Sequence, residues 1–140
     1  MGLFDSFRIS GSGLTAERLR MDTIANNLAN ANTTRTEQGG PYRRQMVVFG
    51  AVEDESKSNK KQIGGGVKVV GIVQDPAPPK LVYDPQHPDA NENGYVEFPN
   101  VSVVTEMVDL ITATRAYEAN ITAINAAKSM ALKALDIGRG

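Results

Sequence analysis

The sequence predicts an α+β fold, mainly α, with N- and C-terminal helices packed as an elongated coiled-coil-like pair and a small β-rich middle segment. Three observations predict it. Apolar residues recur at helical spacing at both ends, two short middle runs are rich in β-branched residues, and a stretch with six of the seven prolines separates those runs from the C-terminal helix. At 140 residues the chain has the size of one domain. It divides into an N-terminal helical assembly segment over 1–36, a β-rich middle with a Pro-rich crossing over 37–99, and a long helix within 100–140.

From Leu14 to Asn32 the residues Leu14, Met21, Ile24, Leu28 and Ala31 recur at steps of three, four or seven, the pattern of an amphipathic helix with a narrow seam. Gly11 and Gly13 precede Leu14 and disfavour helix, so the apolar cluster Leu3, Phe4, Phe7 and Ile9 reads as a separate helical turn that needs a partner surface. Asn26, Asn27, Asn30 and Asn32 crowd the end of this helix. Two readings stand for them: helix termination, or side-chain amides that cap backbone or bond across a helix interface and so fix register between subunits.

The middle runs Tyr42–Phe49 and Gly66–Val73 carry β-branched and aromatic residues without a helical stripe and read as strands. The charged run Glu53–Lys61 between them reads as a solvated loop or hairpin tip. From Asp75 to Pro99 the prolines forbid helix and predict an extended crossing.

The C-terminal helix is expected from Ser102, a natural N-cap, with Glu106 and Asp109 near its positive end and Gly138 as its stop. Val103, Met107, Leu110, Thr114, Tyr117, Ile121, Ile124, Ala131 and Leu135 form a seam of alternating four and three steps, broken only at Lys128. Such a helix is roughly 50 Å long, whereas a compact globule of this chain length is about 40 Å across. The N-terminal helix is the obvious cover for this seam, but it covers roughly 29 Å. The remaining apolar surface implies assembly with other chains.

Composition narrows the function. Hydrophobic residues make up 41% and charged residues 22%, the mix of a foldable globular chain. Fifteen basic against sixteen acidic residues supply no field for a nucleic-acid backbone. Cysteine is absent, which removes disulfides and thiolate chemistry. Asp5 and a broken apolar run argue against a Sec-type signal, and no stretch approaches the ~20 apolar residues of a membrane span. Gly11, Gly13 and Ala16 satisfy G-x-G-x-x-A without a preceding strand and read as a helix-entry hinge, while Gly64–Gly66 read as a turn before a strand. His87 with Asp84 and Asp89 reads as a loop contact in preference to a metal site. No catalytic, cofactor or metal constellation emerges, and neither an enzyme nor a small-molecule binder is expected.

The run RMDTIANNLANANTTRT (Arg20–Thr36) resembles the N-terminal signature of flagellar rod and hook proteins, and EMVDLITATRAYEANITAINAAKSM (Glu106–Met130) is similar to the other shared end of that family. The middle strings GGPYRRQMVVF (Gly39–Phe49) and YDPQHPDANENGYVEFPNV (Tyr83–Val101) resemble the proximal rod members of the flagellar basal-body rod proteins. The resemblance implies a structural subunit, exported by the flagellar type III apparatus and stacked helically through its termini. Its implied partners are other rod proteins, further copies of itself, and the membrane-ring and export-apparatus base. The assembly interface is then expected on the helix stripes, at Leu3, Phe4, Phe7, Leu14, Met21, Ile24, Asn27, Leu28 and Asn30, and at Val103, Met107, Leu110, Tyr117, Ile121, Ile124 and Leu135. The competing expectation is a non-polymerising coiled-coil adaptor whose helices fold back as a stable monomer or dimer.

Overall fold

The computed structural model describes residues 2–53 and 64–140. Its elements run α1 (Leu3–Ala29), β1 (Gln45–Ala51), β2 (Val67–Gln74), β3 (Lys80–Tyr83), β4 (Tyr95–Phe98) and α2 (Val103–Arg139). The two terminal helices pack on each other and the strands form two antiparallel pairs, β1 with β2 and β3 with β4, the mainly α arrangement that the sequence predicts. The expected loop at Glu53–Lys61 lies, from residue 54 onward, outside the described residues.

The first helix is longer than its periodicity suggests. It starts at Leu3 and runs through Gly11 and Gly13, so the cluster Leu3, Phe4, Phe7 and Ile9 belongs to α1 and is not a separate turn. Neither glycine is a hinge. Glycine costs about 1 kcal/mol in a helix, but Gly13 is buried where α1 meets α2, and a Cβ there would lie 2.8 Å from the Asn120 side chain. Close helix approach is the return for the lost propensity. The helix ends at Ala29 with Asn30 as its cap, whose Nδ2 donates to the Asn26 carbonyl at 2.9 Å.

At the other end Ser102 caps α2 as expected, its Oγ accepting from the Thr105 N–H at 3.5 Å. Gly138 does not stop the helix, which continues to Arg139. A glycine terminates a helix by entering the left-handed region, and Gly138 keeps a negative φ.

The helices are antiparallel. Asn27 meets Glu106 and Gly13 meets Asn120, pairs whose numbers sum to 133, so contacts two heptads apart stay in register. The covered face of α2 holds Glu106, Leu110, Ala113, Tyr117, Asn120, Ile124, Ala127 and Ala131, all buried or half-buried. Half of the expected seam is therefore corrected by one residue. Leu110, Tyr117, Ile124 and Ala131 face inward as predicted, but Met107, Ile121 and the disruptive Lys128 are exposed, and Glu106, Asn120 and Ala127 take the inner positions. Thr114 is half-buried beside the fully buried Ala113. Small side chains at the crossing let the backbones approach, and the larger ones are displaced outward.

The β1–β2 pair matches the expected strands to within three residues at each end, with a bulge between Val48 and Phe49. It docks along α1, from Arg8 to Asn27. The Ser12 Oγ accepts from the Val67 N–H at 3.1 Å, and Arg8 donates to the Gly65 carbonyl at 3.4 Å. Gly66, at φ +105°, is required there: a Cβ would lie 2.5 Å from the Ser12 Oγ. The Pro-rich stretch differs from the expected plain crossing, because it contains the β3–β4 hairpin. Its prolines flank the strands and occupy the turn, and Gly94 at φ +82° lets Tyr83 and Tyr95 pack edge to face at 5.3 Å.

Candidate functional site

Two regions stand out, one closed and polar, the other open and apolar. The closed region joins the end of α1, the lead into β1 and the start of α2. Glu106 is completely buried there. Arg44 Nε donates to its Oε1, and Asn27 Nδ2 donates to its Oε2 at 3.2 Å. Asn27 itself is 1% exposed and fully engaged. Its Nδ2 also donates to the Gln45 carbonyl at 2.9 Å, and its Oδ1 accepts from the Tyr42 hydroxyl at 2.7 Å and the Gln45 N–H at 3.0 Å.

Arg44 is the hub. Beyond Glu106 it reaches Asp75 at 3.2 Å and Asp109 at 3.7 Å, and its backbone N–H donates to Asn100 Oδ1 at 2.8 Å. Burial, and then the negative charge of Glu106, push the Tyr42 hydroxyl above its ordinary pKa. The Ala77 N–H, followed by the Arg44 guanidinium, holds Asp75 below the usual carboxylate range. A second, smaller clasp ties the β3–β4 turn to the segment after α1: Asp89 accepts from the Thr34 hydroxyl at 2.7 Å and pairs with Arg35 at 2.8 Å, and these two contacts lower its pKa in that order. Among the described residues no buried side-chain nitrogen or oxygen lacks a partner.

The open region lies mainly along α2. Leu3 falls level with residue 130 in the antiparallel register, so the last turns of α2 extend past α1. Leu132, Leu135 and Ile137 are exposed there, Ile137 at 81%, and Phe4 at the start of α1 is exposed at 84%. At the opposite end Val103, Val104, Met107, Val108 and Ile111 form an exposed apolar stripe. Val103 and Val104 also line a groove of about 420 Å³ with Ala31, Val82 and Phe98.

Among the described residues the buried hydrophobic side chains are Ala16, Ile24, Val96, Val101, Ala113 and Ala127, half of them alanine, which makes a thin core. The accessible surface is 10054 Å², against about 7,000 Å² for a folded monomer of 15.0 kDa. Ten residues in a fully extended chain would account for only about half of that excess.

The structure sorts the sequence-predicted stripe residues into three groups. Ile24 and Asn27 are buried within the chain; Leu3, Phe7, Leu14, Met21, Leu28, Asn30, Leu110, Tyr117 and Ile124 are half-buried; Phe4, Val103, Met107, Ile121 and Leu135 are exposed. Asn30 terminates α1, as the first reading of the asparagines has it, whereas the Asn27 amide bonds strand and helix of its own chain, where the second reading had it fix register between subunits. The polar hub at Arg44, Tyr42 and Glu106 was not singled out in sequence. One signal was available: moving alternate seam positions back by one residue replaces Lys128 with Ala127 and puts Glu106 inside.

Among the described residues no three His, Asp or Glu side chains come together as a metal site. His87 is held locally, its Nδ1 accepting from the Asp89 N–H at 3.0 Å. No described helix is long and apolar enough to cross a membrane.

Two terminal helices that pair across the chain and leave apolar flanks uncovered define a structural assembly subunit, and family comparisons give that class a name. The model described as flagella basal body rod protein matches residues 7–35, and that of the flagellar basal body rod FlgEFG protein C-terminal matches residues 92–137. The chain is 50% identical to the flagellar basal-body rod protein FlgC of Borreliella burgdorferi, with all of both chains covered. It is 48% identical to FlgC of Bacillus subtilis and 45% identical to FlgC of Salmonella typhimurium, in each case over 99% of this chain and 100% of the relative. The chain belongs to the FlgC family of flagellar basal-body rod proteins, and is a structural component of the basal body and not an enzyme.

Proposed function

We propose that this rod protein is a subunit of the proximal rod that leaves the cell interior through the flagellar type III export apparatus and is stacked helically through its terminal helices. The segments 1–36 and 100–140 carry assembly, and 37–99 forms a lateral β-rich body. Its neighbours are further copies of itself, other rod proteins, and the membrane-ring and export-apparatus base.

The observation that carries this reading is the surface excess over a monomer of the same mass, about 1,500 Å² after ten extended residues are set aside. A standard interface takes about 800 Å² from each partner. The excess is enough for about two such contacts, one on either side of a subunit in a stack. Stripes at both ends and along one side of α2 suit heterologous contacts that repeat without closing on themselves. The thin core supports completion of the terminal helices on docking, after passage through a narrow channel as an extended chain.

Replacing Leu132, Leu135 and Ile137 together by Ser tests the reading. Rod incorporation and swimming are expected to fail while secretion into the medium and the circular-dichroism spectrum stay unchanged; normal incorporation overturns it. Hydrogen exchange on the dilute chain separates it from a self-sufficient adaptor. Fast exchange over residues 131–139 beside a protected helix crossing and β1–β2 pair fits a subunit waiting for neighbours, whereas protection to the end of α2 fits the adaptor.

A further inference from the structure

We propose that Glu106 acts as an interlock: α1 and α2 can close into their final pairing only after the lead into β1 has docked, because the cation that neutralises this buried carboxylate comes from Arg44. Glu106 lies on the inner face of α2, wholly buried. When the helices close, water leaves it. From α1 it receives only the Asn27 amide, at 3.2 Å, which offers a dipole and no charge. Among the described residues its one ion-pair partner is Arg44, which sits immediately before β1 and is fixed there by Asp75 and Asn100, with Asp109 on α2 adding a contact once the helix has closed.

A buried carboxylate without a cation is strongly unfavourable, whereas a pair replaced by apolar residues of similar volume is often neutral or stabilising. The carboxylate therefore adds little to the strength of the closed state. It sets a condition for reaching it. Asn27 reinforces that condition from the other helix, because half of its hydrogen bonds go to the Gln45 backbone, which is available only once the same segment is in place. Helix pairing thus becomes the last step of the chain's own folding. The terminal helices of one chain, or of two chains meeting prematurely, are kept from zipping on apolar contacts alone. The interlock operates within a single chain, so a failed rod-incorporation assay leaves it standing, and its own failure leaves the rod reading standing.

The test is hydrogen exchange read by mass spectrometry on the full chain, with and without the osmolyte TMAO, which favours burial. In Arg44→Met, amides over residues 20–29 and 103–113 are expected to exchange about 100-fold faster than in the unmodified chain, while the β1–β2 ladder changes little. In Arg44→Met/Glu106→Leu the helix protection returns. Asp75→Asn, which removes a part-exposed contact of Arg44, leaves the helices protected. Helices that stay protected in Arg44→Met, or a double variant no better protected than the single one, overturn the interlock. Should Arg44→Met unfold the strands as well, Glu106→Leu alone decides: helix protection at or above that of the unmodified chain in TMAO supports the interlock. Loss of protection in that variant, or helices unprotected in every variant, overturns it.

Discussion

Where α1 ends against the start of α2, the helix pair is sealed by charge and amide groups, each satisfied within the chain; where α2 runs past Leu3, it ends in bare leucine and isoleucine. The polar end is specific because a buried carboxylate tolerates few arrangements, and misplacing it costs several kcal/mol. The apolar end has no such demand, since dispersion and water exclusion accept many partners. The inner face at the polar end therefore holds the chain's own geometry, and the overhang of α2 with the outer apolar stripe is left for neighbours.

That contrast can be broken most strongly at the polar end. Arg44→Met, which leaves the wholly buried Glu106 without its cation, is expected to cost about 3 kcal/mol in urea unfolding, a large share of a small domain's total stability. Between the two ends, Gly13→Leu forces a side chain against Asn120 and should cost about 2 kcal/mol. Adding Asn120→Ala should recover part of that loss, because it vacates the clashing volume. Ser102→Ala removes the cap of α2 and is expected to cost about 0.5 to 1 kcal/mol, read from the urea midpoint.

Acid sharpens the comparison further. Asp75 and Asp89 have folded-state pKa values below the ordinary range, so the stability they contribute is present above about pH 4, the unfolded carboxylate value, and is lost as pH falls through their lowered values. The urea midpoint should decline below pH 4, and Asp89→Asn should flatten part of that decline. Least affected in folding is Leu135→Ser, expected within about 0.5 kcal/mol of the unmodified chain. If it instead destabilises the isolated chain strongly, the overhang of α2 packs internally and the open end is misassigned.

Much of the fold was legible in the residues. Leu14 to Leu28 and Leu110 to Ile124 carry helical spacing, Tyr42–Phe49 and Gly66–Val73 carry strand composition, and Ser102 signals its cap, because each of these depends on neighbours within a few positions. The β3–β4 hairpin was hidden, since proline content argues against regular structure and Lys80–Tyr83 is only four residues long. The surface residues were legible in kind but not in place. Apolar residues recur on two adjacent stripes of α2, one through Leu110 and Tyr117 and one through Met107 and Ile111, and hydropathy ranks the wrong partner positions above Glu106 and Asn120.

The sequence by itself determined the two terminal helices, the β1 and β2 strands between them, the absence of cysteine chemistry and the family to which the chain belongs, because these rest on local spacing and on strings of residues. Only the tertiary structure decided which stripe of α2 is covered, that Glu106 and Asn27 lie inside, and that Arg44 completes them. Those outcomes depend on how closely two helix backbones can approach at Gly13, Ala113 and Ala127, and on a cation brought from 62 positions away in the chain. Neither distance is written in the periodicity of one helix.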